Sequence, residues 1–254
     1  MSLKSILSRQ TLLKVPELTI YFWIIKLLST ALGESTSDYL VFHINPYIAV
    51  LLGAIGLFIA IILQFFVKKY IAWVYWLAVV MVAIFGTMAA DVLHVGFGIP
   101  YIVSTIFFSF CLAGVLIIWY LVEKTLSIHS ISTLRRELFY WVTVMTTFAL
   151  GTAAGDMAAA TLGLGYLLSG ILFAVIFVIP AFGYRRFKWD PIFSFWFAYI
   201  LTRPVGASFA DYFGKPILGG LRLGDEIVSA VLSILVIIFV IFLTITRKDI
   251  KNQG

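Results

Sequence analysis

Cysteine is almost missing from this chain, and so is charge. The single thiol, Cys111, excludes an internal disulfide framework and most zinc clusters, and its place inside an apolar run reads as a small packed hydrophobe. Charged residues make up 12% of the 254 positions, against about 25% in a typical soluble domain. There is no Gly/Ser linker, low-complexity tract or large polar segment, so any chemistry must sit in the apolar runs or in short loops. Three motifs are also missing: the G-x-S-x-G nucleophile turn, H-E-x-x-H, and the phosphate-cradling G-x-x-x-x-G-K-[ST]. Gly214-Lys215-Pro216 and the glycines around Gly163 and Gly165 read as turns. No nucleotide site and no cofactor is expected.

What the chain has is apolar surface. Hydrophobic residues account for 62% of it. A soluble core of this size could not hide that much; lipid can. The net charge of +6 does not point to nucleic acid, because the basic residues lie at the ends of apolar runs, as topology signals do. The first run lacks a small-residue cleavage site and carries Lys26, Glu34 and Asp38, so it reads as a retained helix.

An internal repeat organises the rest. Asp38, Asp91, Asp156 and Asp211 are spaced by 53, 65 and 55 residues. Five positions before each stands a glycine: Gly33, Gly86, Gly151 and Gly206. Fifteen before each stands a tryptophan: Trp23, Trp76, Trp141 and Trp196. An aromatic residue precedes every tryptophan, namely Phe22, Tyr75, Tyr140 and Phe195. The approximate repeats are 14–70, 71–128, 131–187 and 189–248, within a single transmembrane domain spanning 1–254.

Each repeat holds two apolar runs of bilayer-spanning length. The first runs are expected near 17–36, 71–93, 138–155 and 191–210, the second near 47–67, 100–122, 165–183 and 226–246. The expected fold is therefore an all-α membrane protein of about eight transmembrane helices, from four parallel two-helix repeats. The termini and the loops between units carry Lys4, Arg9, Lys14, Lys68, Lys69, Lys124, Arg135, Arg136, Arg185, Arg186, Lys188, Arg247, Lys248 and Lys251. The connections inside units carry only Lys215 and Arg222. That asymmetry predicts cytoplasmic termini, outward loops after the aspartates, and a multi-pass protein of an inner (cytoplasmic) membrane. With these Trp, Gly and Asp positions, the chain resembles a bacterial group of membrane proteins. Those proteins have four tandem repeats, each with two transmembrane segments and a characteristic tryptophan. The group has no assigned function, so the resemblance implies an architecture and not an activity.

The tryptophans read as interfacial or packing residues, and the glycines as sites of close helix approach. The aspartates admit two readings. Near a helix C-terminus a carboxylate opposes the macrodipole, so each either caps a following turn or lies in water, or the four form a functional cluster. Steps of four along one helix face place Lys26, Thr30, Glu34 and Asp38 together, and likewise Tyr199, Arg203, Ala207 and Asp211. Thr87 and Thr152 lie one turn before their aspartates. Lys26 and Arg203 are expected to balance the charge of Glu34 and the aspartates, as part of a site or as static ion pairs. His43 and His94 are candidate metal ligands beside the carboxylates. The expected activity is small-solute transport, of a metal or other cation, with proton coupling through the carboxylates. The alternatives are an organic-anion transporter using Lys26 and Arg203, and a non-transport scaffold. No enzyme activity is expected. The expected partners are the lipid bilayer and a small ion or solute, not nucleic acid, and the chain could act as a monomer or a homodimer.

Overall fold

The computed structural model describes residues 13–250. Lys4, Arg9 and Lys251, which belong to the charge pattern above, lie outside the described residues. Eight long helices follow in order: α1 (Ile20–His43), α2 (Pro46–Phe66), α3 (Ala72–Asp91), α4 (Tyr101–Glu123), α5 (Leu134–Asp156), α6 (Gly165–Phe187), α7 (Pro191–Gly214) and α8 (Asp225–Thr246). Single π-helical turns, Val92–Gly96 and Met157–Thr161, prolong α3 and α5. The boundaries come from local chemistry. Asn45 accepts from the Tyr47 amide at 3.0 Å and Asp190 from the Phe193 amide at 2.8 Å, each with proline at the first helical position. Helices α4, α6 and α8 all end on a basic residue in the left-handed region, Lys124, Lys188 and Arg247, where a cation complements the helix dipole.

Four expected boundaries shift by a turn or more, among them the ends of α6 (Phe187 rather than 183) and α7 (Gly214 rather than 210). Helix α1 runs to His43 rather than stopping near 36, because nothing breaks the pattern before Asn45-Pro46. Helix α5 starts at Leu134 rather than 138, where the Thr133 hydroxyl accepts from the Arg136 amide.

The first helices of the repeats form a closed ring: α1 packs on α3, α3 on α5, α5 on α7, and α7 on α1. The second helices lie outside, and each packs chiefly on the inner helix of the next repeat. Thus α2 lies on α3, α4 on α5 and α6 on α7, while α8 closes the circle on α1. The two helices of one repeat barely touch, so a repeat alone could not bury its own apolar face. The outer helices present large exposed side chains, among them Phe58, Phe107, Phe110, Val175 and Ile238. In water such a belt would be untenable; it is the surface lipid requires.

Among the described residues, six helices are long and apolar enough to cross a membrane. The other two, α1 and α7, are equally long but carry Lys26, Glu34 and Asp38, and Arg203 and Asp211. Both belong to the inner ring, where these groups are hidden from lipid.

Candidate functional site

The repeated residues interlock around the ring. The aromatic residue of each repeat meets the tryptophan of the next: Phe22–Trp76 at 5.7 Å between centroids, Tyr75–Trp141 at 5.7 Å, Tyr140–Trp196 at 6.3 Å, and Phe195–Trp23 at 5.9 Å. The glycines follow the same rule. Gly33 lies against Ala83, Gly86 against Phe148, Gly151 against Arg203, and Gly206 against Thr30. Each partner stands eight positions before the aspartate of the next repeat. A Cβ on Gly33 would come within 2.8 Å of the Ala83 carbonyl carbon, so the helices reach this separation only because the side chain is missing. These glycines are at inner helix contacts and do not face lipid.

Because the four inner helices run parallel, their i−4 steps stack in layers along the axis. Farthest from the aspartates is the aromatic layer, where the Tyr75 and Tyr140 hydroxyls share a hydrogen bond. The next layer holds Lys26, Val79, Val144 and Tyr199, and the one after it Thr30, Ala83, Phe148 and Arg203. Then come Glu34, Thr87, Thr152 and Ala207. All twelve side chains of these three layers are buried. The aspartates form the last layer, with Asp38 and Asp211 buried and Asp91 and Asp156 half-buried.

Arg203 spans this column as a crossbar. Its guanidinium donates to the Glu34 carboxylate on α1, to the Thr87 hydroxyl on α3, to the Thr152 hydroxyl on α5 at 2.7 Å, and to the Thr30 carbonyl at 2.9 Å. One side chain thus ties α7 to the three other inner helices. Lys26 behaves differently from the charge-balancing role expected of it. Its ammonium sits over the rings of Phe148 and Tyr199, 4.1 Å from each centroid, and among the described residues it makes no ion pair. The reason is its depth: it lies two layers below Glu34, at the level of the aromatic side chains.

The aspartate layer divides into halves. On the α1/α7 side, Lys215 bridges Asp38 and Asp211 at 2.9 Å each, and the ligand atoms of Glu34, Asp38 and Asp211 lie within 4.8 Å of one another. Burial disfavours the Lys215 charge, but Asp211, Asp38 and Glu34 outweigh it and hold the ammonium well above the usual lysine range. On the α3/α5 side there is no lysine. Instead Asp91, His94 and Asp156 converge, also within 4.8 Å, with His94 Nδ1 at 3.9 Å from Asp156 Oδ2.

Asp91 and Asp156 make no side-chain cap hydrogen bond, so the capping explanation fails for both. His43 is exposed at the end of α1, where its Nδ1–H donates to the Tyr39 carbonyl at 2.8 Å, and it does not join the carboxylates. Two residues escaped the sequence reading. Lys215 looked like part of a turn, although its i+4 spacing from Asp211 was a usable signal. Ser104, which holds His94, left no trace, because it belongs to the outer helix α4 and appears in no repeat pattern.

At the opposite end, a polar network closes the bundle: Lys14 pairs with Glu137 at 2.6 Å, Gln64 donates to Glu137 at 3.0 Å, and the Tyr70 hydroxyl donates to Asp249. No curated protein and no solved structure matches the chain. The family described as Repeat of Unknown Function (DUF347) matches over residues 21–70, 74–125, 139–188 and 194–249. Those four matches coincide with the four helix pairs of the ring, and the chain belongs to that family of repeats.

Proposed function

We propose that this chain is a small-solute transporter, not an enzyme, and that it moves a metal or other cation along the axis of the inner ring. The observation that carries this reading is the buried polar column, with one carboxylate from each repeat gathered at one end. A set of packing residues would not need three acids and two bases buried along a single axis, with two more acids and Lys215 half-buried at its end. In this reading the aspartate layer receives the cation and the Arg203 crossbar separates it from the aromatic layer. Proton exchange on the carboxylates drives release. In this reading the aromatic end and both termini face the cytoplasm of a bacterial cell and the aspartates face outward across the inner membrane, an orientation supported by the basic residues at the aromatic end. The closed ring lets a monomer suffice.

Ion flux into proteoliposomes, followed with a divalent-cation panel and an internal pH dye, tests this directly. Cation-dependent flux is expected from the native chain. It should vanish in a folded variant carrying Asp→Asn at all four positions. Flux that survives in that variant would refute the carboxylate route.

A second reading, organic-anion transport, draws on Lys26, a buried cation facing the axis without a carboxylate. Uptake lost in Lys26→Met and kept in the aspartate variants would favour it. A scaffold predicts that Asp→Asn lowers stability and that no solute moves.

A further inference from the structure

The two halves of the aspartate layer are built for different occupants. Lys215 already supplies the cation for Asp38 and Asp211. Among the described residues Asp91 and Asp156 have no such partner, and the group beside them is an imidazole.

His94 is 8% exposed, and its ring is oriented by two contacts. Its edge lies against Tyr101, with centroids 4.5 Å apart, and Nε2 is 2.6 Å from Ser104 Oγ. The Ser104 hydroxyl proton is directed to the Tyr101 carbonyl at 3.0 Å, with the Pro100 carbonyl at 3.4 Å. With the hydroxyl donating there, the Ser104 oxygen accepts from the imidazole, and on that pairing we assign the ring proton to Nε2. That tautomer leaves a lone pair on Nδ1. Nδ1 has no hydrogen-bond partner, is buried, and points toward Asp156. A lone pair and two carboxylates facing one another repel unless an electrophile lies between them. A histidine that donates its outer N–H to a neighbour and turns its free nitrogen inward is arranged as a metal ligand. The wide π turn Val92–Gly96 supplies the ring's placement one turn beyond Asp91, and such turns are frequent at functional sites.

We infer that Asp91, His94 and Asp156 form a binding site for one divalent transition-metal ion, with Ser104 positioning the imidazole. The inference rests on the transport reading for the ion's role as cargo, and it narrows the class of that cargo. One nitrogen and two carboxylates suit zinc, manganese, cobalt, nickel or ferrous iron; calcium and magnesium take oxygen ligands throughout. Two carboxylate charges match a divalent ion. Ligand atoms around a shared ion at about 2.0–2.2 Å stand about 3–4 Å apart, so carboxylate rotations of about 1 Å close the present site.

The test uses the full chain in nanodiscs, titrated with Co2+ and followed by its visible d–d absorption, with Zn2+ as competitor. One equivalent is expected, displaced by Zn2+. His94→Ala should weaken binding at least 100-fold and Ser104→Ala about 10-fold, while His43→Ala leaves it unchanged. X-ray absorption of the Zn2+-loaded native chain should show one imidazole in the ion's coordination shell, a readout that no variant's folding can confuse. Native protein that binds Co2+ no more tightly than His94→Ala, or a Zn2+ spectrum without imidazole, overturns the site and leaves His94 a packing residue held by Ser104. Binding as expected with no cation flux in proteoliposomes keeps the site and removes transport. Aspartate-dependent flux of an ion that does not bind here does the reverse.

Discussion

Replacing Arg203 by methionine removes the one side chain that joins all four inner helices, and its cost follows from what is left behind. Glu34 is 2% exposed and loses its cation. Its remaining contact is the Thr87 hydroxyl at 3.4 Å. The Thr30 carbonyl and the Thr152 hydroxyl also lose a charged donor. Breaking a buried ion pair from one side costs about 3–5 kcal/mol, mostly the penalty of an uncompensated charge. Removing both charges with Glu34→Leu and Arg203→Met leaves no such charge and should recover most of that loss. The assay is a double-mutant cycle on reversible unfolding in detergent micelles, read by loss of helical circular dichroism. Each single variant should be strongly destabilised, and the pair should deviate from additivity by more than about 3 kcal/mol. Single losses that simply add, to within about 0.5 kcal/mol, would refute the crossbar as a coupled element.

Three further outcomes follow from the same geometry. Gly33→Ala brings a methyl group against the Ala83 backbone and should cost about 1–3 kcal/mol by the same unfolding assay. Gly114→Ala, with open space around it, should be neutral or slightly stabilising. Trp76→Ala empties a buried ring position and should cost about 3–5 kcal/mol, whereas Trp73→Ala, on a half-exposed ring, should cost far less. At the tail of α8, burial raises the Asp249 carboxyl above its usual range, with the hydrogen bond from Tyr70 a partial offset. Its contribution to stability is therefore full below about pH 4 and falls as pH rises through the elevated value. Unfolding curves of Asp249→Asn, which still accepts from Tyr70, should decline less between pH 4 and 8 than those of the native chain; equal slopes would contradict the assignment.

The repeat was legible because it is carried by residue identity at constant spacing: Trp, Gly and Asp recur at positions that any alignment of the chain on itself reveals. So were the number and order of the eight helices, since long apolar runs separated by breaks such as Asn45-Pro46 or Asp190-Pro191 can be counted, although several helix ends lay a turn or more from where the runs suggested. Helical periodicity also placed Glu34 and Arg203 on the faces of their aspartates. It could not say that these faces meet, nor that Lys26 stops two layers short among aromatic rings.

The amino-acid sequence by itself determined the membrane class, the four two-helix units and the common depth of each repeated residue, because composition and spacing along one helix are local properties. Tertiary structure decided everything that depends on which repeat touches which. The aromatic–tryptophan and glycine contacts step from each repeat to the next and close from the fourth to the first, a circular order that no single repeat contains. It also broke the fourfold pattern, giving Asp38 and Asp211 a lysine from a loop, and Asp91 and Asp156 a histidine held by an outer helix. Packing supplies that distinction because side-chain chemistry acts over a few ångströms in space, and these partners are brought together only when the ring closes.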